Sequence, residues 1–193
     1  MLAEFVEFVD NIIPIVSEEQ RNKTKDAILQ FEKYGEQLKY MMLEPLDVLS
    51  QGDIISKVPF SYFDDNGEQC FFVSDAMVIS TSCNIDNKNR ILLTPVFPIS
   101  VFEGNALDLK KNVIFDYMYI PDDIMKNKYV DFECMGTYSK DLIIRGIADK
   151  RIKRIGSLNQ LGYYFMIVKL SVFLMRREDE ETMRKRGTNF LHY

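Results

Sequence analysis

Apolar residues recur at helical spacing from the start of the chain, with Leu2, Phe5, Val6, Val9, Ile12, Ile13 and Val16 on one face. Pro14 interrupts this helix, and Ser17-Glu18-Glu19-Gln20 supplies a capping box for a second. The second helix carries Ala27, Ile28, Phe31, Tyr34, Leu38, Met41 and Met42 on one side and ends before Pro45. Residues 1–45 are therefore expected to form an N-terminal helical pair. It either packs on the body of the protein or offers a face to a partner.

From Gly52 the period changes to that of short strands, predicted over 54–63, 70–81, 90–96, 112–120, 129–135 and 138–144. Asp64-Asp65-Asn66-Gly67 is a hairpin turn, because Asn-Gly accepts positive φ, and 84–89 reads as a second turn. Closely spaced strands with no helix between them predict a small barrel or a strongly curved antiparallel sheet. Ser157-Leu158-Asn159-Gln160 reads as a further capping box, opening a helix over 161–175 that is apolar almost all round. Such a helix must be covered on two sides, which predicts a homodimer built on it, with Phe173 among its outward residues. Beyond it, Glu180–Arg184 and Glu181–Lys185 pairs mark a solvated helical continuation. The expected division is a body over 46–178 and a charged tail over 179–193.

Composition narrows the chemistry. The chain has 193 residues, 47% of them hydrophobic, enough for one domain with its own core. No basic segment precedes the first apolar run, and the 161–175 stretch is too short to cross a bilayer and carries Lys169. The expectation is a cytoplasmic protein with no membrane contact. Cys70, Cys83 and Cys134 lack a CxxC spacing and read as free thiols. The one histidine, His192, is the next-to-last residue, which removes Cys-His and Ser-His-Asp machinery and His-ligated metals. Neither a metal site nor a cofactor is expected. Net charge is −5, yet residues 140–154 hold six bases against two acids.

The order of four segments resembles the MazF/PemK family of toxin ribonucleases: "GDIISKVPF" (52–60), "AMVIST" (76–81), "RILLTPVFPIS" (90–100) and "RIKRIGSLNQLGYYFMIVKLSVFL" (151–174). The resemblance spans roughly 52–175 and implies an SH3-like antiparallel β-barrel with a C-terminal helix, mainly β with α, usually a homodimer. It also implies single-stranded RNA as the ligand class and a toxin–antitoxin or phage-defence setting, with an antitoxin or other protein partner. Where that family carries a catalytic arginine and threonine, this sequence places Ser74 and Phe97, and Asp75 stands where a proline is usual. The resemblance therefore implies a binding module without the usual chemistry. The alternative is a metal-independent endoribonuclease with relocated groups, for which Ser80, Thr81 and Thr94 are the catalytic candidates.

Two constellations stand out. Ser80-Thr81-Ser82-Cys83-Asn84 is either an ordinary strand end or a turn at the barrel mouth, with Ser82, Cys83 and Asn84 lining a ligand groove. Arg145, Lys150, Arg151, Lys153 and Arg154 fall in a predicted loop before the C-terminal helix and form the candidate nucleic-acid grip.

Overall fold

The computed structural model describes residues 18–42, 44–175 and 179–187. The helix expected over Leu2–Val16, and the Ser17 cap, lie outside the described residues. Helix α1 spans Glu18–Tyr34 and buries Ala27, Ile28 and Phe31. It stops eight residues short of the expected Met42, because Gly35 takes φ +45 and the chain leaves through a short 3-10 turn, Gly35–Gln37. Tyr34 consequently lies off the packed face, 41% exposed. The segment after it is extended: the Tyr40 and Met41 amides both donate to Asp122 Oδ2, and Met41 bridges to Leu158.

The body is a seven-stranded antiparallel sheet of β1 (Asp53–Phe63), β2 (Gln69–Val78), β3 (Arg90–Pro98), β4 (Tyr117–Tyr119), β5 (Lys128–Asp131), β6 (Gly136–Ser139) and β7 (Arg154–Ser157). Its order is β4-β5-β3-β2-β1-β7, and β3 forks, pairing β6 along Arg90–Leu93 and β5 along Val96–Pro98. The sheet is open. It curls far enough for the Tyr138 hydroxyl of β6 to donate to the Pro59 carbonyl of β1 at 2.8 Å, but no ladder joins those strands. β6 is four residues long and passes at once into a helix, so it has no length with which to pair β1.

Three α-helices interrupt the strand run, where none was expected: α2 (Ser82–Asn87), α3 (Ala106–Lys110) and α4 (Lys140–Ala148). The apolar run 142–144 that reads as a strand is helical. Only Ile143 of it is buried, with Leu142 and Ile144 exposed on either side. Of the strand predicted over 112–120 only Tyr117–Tyr119 forms. Asn112 turns left-handed at φ 55 and clips Tyr119 with two hydrogen bonds.

Helix α5 (Gln160–Leu174) is capped by Asn159, whose side chain accepts from the Gly162 amide, while Ser157 of the expected box sits in β7. α5 is covered on one side by the sheet and on another by α1, where Phe31 stacks on Phe165 at 4.3 Å. No residue from 161 to 173 is exposed, and Phe173 turns in toward Phe132 rather than outward. The sheet and α1 thus bury Gly162, Phe165, Met166, Val168 and Lys169, while the rest of 161–173 stays half-buried and Leu174 and Met175 are exposed. Buried among these apolar neighbours, Lys169 Nζ donates to the carbonyls of Asn112 and Ile114 at 3.1 and 2.6 Å. Burial pushes its pKa down to about 7. A short charged helix α6 (Glu180–Arg186) follows. Among the described residues no helix is long and apolar enough to cross a membrane.

Candidate nucleic-acid interface

The basic segment is divided by burial. Arg154 opens β7 with its side chain 16% exposed, and its Nη2 meets Asp53 Oδ2 at 3.0 Å. The same guanidinium donates to the carbonyls of Asp47 and Val48. Asp53 is fully buried and also accepts from the Ser50 amide and the Ser157 hydroxyl. Three donors converge on one carboxylate and, with the guanidinium bonds to Asp47 and Val48, fix β1, β7 and the 46–50 segment together. Arg154 belongs to the fold, not to a ligand site.

The bases beside it face solvent. After α4, the chain doubles back, and Gly146 makes this close return feasible: a Cβ there would lie 2.7 Å from Ile152 Cδ1. The Gly146 carbonyl accepts from both the Arg151 and Ile152 amides at 2.9 Å. Ile152 enters the core between Arg151 and Lys153, which are both exposed. Lys153 then pairs with Ser56, its amide donating to the Ser56 hydroxyl and its carbonyl accepting the Ser56 amide.

That pairing places Lys153 beside Lys57, which occupies an irregularity in β1 where the register shifts between Ile55 and Val58. Lys57 is exposed, with φ 58, and Lys150 is exposed, with φ 59. For a residue with a Cβ this left-handed backbone costs on the order of 1 kcal/mol, so two lysines held there are over-determined by their surroundings. Among the described residues Lys57, Lys150 and Lys153 make no ion pair. Arg151 pairs with Asp149 at 3.1 Å, and Arg145 Nε donates to the Asp141 carbonyl of its own helix. Three exposed ammonium groups without an ion pair thus lie on two adjoining segments, 57 and 150–153, while Lys88, Lys110 and Lys111 are likewise exposed and unpaired among the described residues elsewhere on the surface. Lys57 was not among the sequence candidates. Its signal is a charge alternating with apolar residues in "IISKVPF".

The catalytic candidates are engaged in holding backbone. Ser80 Oγ accepts from the Leu92 amide at 2.8 Å, joining β2 to β3. Thr81 is the N-cap of α2. Thr94 is fully buried and donates to the Asp131 carbonyl. At the family positions, Ser74 donates to the Val96 carbonyl, Asp75 pairs with Lys128 at 2.7 Å, and Phe97 packs between Phe72 and Tyr129.

The turn expected at 84–89 is largely α2, and it places Ser82, Cys83 and Asn84 on an exposed surface, with the Cys83 thiol in solvent. One groove, about 420 Å³, runs along the open seam between Pro59–Tyr62 and Glu133–Tyr138, and a second, about 370 Å³, lies between Phe31, Gly35, Lys110, Lys111 and Pro121. Ser82, Cys83 and Asn84 line neither. The seam groove offers aromatic edges and the Glu133 carboxylate, which accepts from the Tyr117 hydroxyl. At its border Cys134 is pushed up to about 11, chiefly by burial and then by the Asp131 charge, so its thiol is a poor nucleophile. No basic side chain lines this seam, and a phosphate gains nothing there.

No family model matches this sequence, and no curated protein matches it.

Proposed function

We infer that this protein is a binding module that grips the backbone of single-stranded RNA through Lys57, Lys150 and Lys153, with Arg151 and Arg145 flanking, and does no chemistry on it. The observation that carries this reading is the pair of left-handed lysines beside Lys153, all three exposed and free of ion pairs among the described residues. Ammonium groups held on rigid backbone attract phosphate as point charges and release counterions on binding. The curled sheet, bridged from Tyr138 to Pro59 across its seam, supports reading the body as an opened SH3-like barrel of the MazF/PemK type. A toxin–antitoxin or defence setting follows from that resemblance. The endoribonuclease alternative is disfavoured because Ser80, Thr81 and Thr94 are each engaged in hydrogen bonds to backbone.

Fluorescence anisotropy with a labelled, unstructured RNA of about twenty nucleotides tests the reading. The Lys57→Ala/Lys150→Ala/Lys153→Ala variant is expected to lose at least tenfold in affinity with an unchanged melting temperature. Equal affinity in that variant overturns the site. Cleavage of the RNA by wild-type protein overturns the non-catalytic reading.

A further inference from the structure

An apolar surface lies bare on the outer half of the β1–β2 hairpin. Beyond Val58, β1 finds no partner in β7, which pairs only Asp53–Ile55, and β2 finds none in β3, which reaches only Asp75. The ribbon 59–63/69–73 therefore projects as two strands alone. Its inner face packs Phe60 against Phe72 at 5.4 Å. Its outer face carries Phe63, Phe71 and Val73, exposed to 71%, 74% and 68%, with Pro59 and Ser61 completing the row. Bare phenylalanines in register on a β face are unusual in a soluble chain and mark a contact surface.

We propose that this face packs against the same face of a second copy, forming a two-fold dimer of hairpins. Three features select a second copy. First, the outer row 59, 61, 63, 69, 71, 73 contains no charge, so its own copy meets it without desolvating an ion. Second, the hairpin tip holds Asp64, Asp65 and Glu68. A two-fold arrangement with antiparallel ribbons puts the two acidic tips at opposite ends, whereas a parallel one would oppose them.

Third, the area is of the right order. With about 200 Å² per aromatic side chain, the row offers roughly 500 Å² of apolar surface per copy. A face-to-face pair would then bury about 1,000 Å², the lower limit for a specific interface. An interface at that limit is expected to be a weak, concentration-dependent one. It is independent of the RNA reading.

Sedimentation velocity of the full chain from about 1 to 200 µM tests it. The expected result is a mass that rises with concentration toward twice the monomer, and a strict monomer for Phe71→Glu/Val73→Glu at every concentration. These positions are exposed, so melting of the variant is expected to match wild type, and Phe63→Lys on the neighbouring strand provides a second break. Leu174→Glu, at the exposed end of α5, is expected to leave the dimer intact. A wild-type monomer at 200 µM, or a dimer that survives the hairpin variants or falls to Leu174→Glu, overturns the proposal.

Discussion

The β1–β2 hairpin has a root and an arm that share two strands and little else. In the root, Asp53, Ile54, Ile55, Ala76, Met77 and Val78 are all buried, and the one charge, Asp53, is met by Arg154, Ser157 and Ser50. In the arm, Phe63, Phe71 and Val73 lie bare. Lys57 stands at the junction, on the bulge that separates them. The same contrast divides Lys153 from Arg154, adjacent in sequence, one in solvent and one locked to a buried carboxylate. Where strands have neighbours on both sides, even ionic groups serve the fold. Where the neighbours run out, apolar and basic side chains are left for other molecules.

Breaking the root is expected to have the largest effect. Asp53→Ala leaves the Arg154 guanidinium without its carboxylate, and removing one member of a buried pair costs about 3–5 kcal/mol. Urea unfolding should show a loss of that size for Asp53→Ala and a similar one for Arg154→Met. A loss below 1 kcal/mol would place the root on the same footing as the arm.

A second buried charge sharpens the contrast through pH. Lys169 releases its proton near 7 in the folded chain and near its ordinary 10.5 when unfolded. Between these values unfolding takes up a proton, so stability rises with pH, at a limiting slope of about 1.4 kcal/mol per unit. Unfolding at pH 7 and 9 should show wild type more stable at 9. Lys169→Met should abolish most of that difference.

The smallest stability effect is expected in the arm. Phe71→Ser removes a side chain that is 74% exposed, and its unfolding free energy should stay within about 0.5 kcal/mol of wild type. A loss above 2 kcal/mol would show that the arm is part of the core.

Much of the hairpin was legible in the sequence. Alternation over 54–63 gave β1 to within a residue, and Asn66-Gly67 marked the turn, where Gly67 takes φ 78. The apolar run from 161 likewise located α5. What covers α5 was not legible, because its contact with Phe31 joins segments 134 residues apart. Arg154 was misplaced for the same reason: its carboxylate partner is 101 residues away, and a local count of charges cannot see it. Lys57 was missed because the bulge that exposes it depends on pairing with residues near 153. The short helix α2 was read as a turn, since Thr81 capping and Ile85 burial decide it and six residues show no period.

The salt dependence of RNA binding tests the central claim most directly. If three lysines at the junction hold phosphates, log affinity for a single strand should fall linearly with log salt at a slope of about −2, from roughly −0.7 per contact. Removing Lys57 and Lys153 together should bring the slope to about −0.7 and leave the melting temperature unchanged. Binding that ignores salt, or a slope that stays near −2 in that variant, would contradict the account.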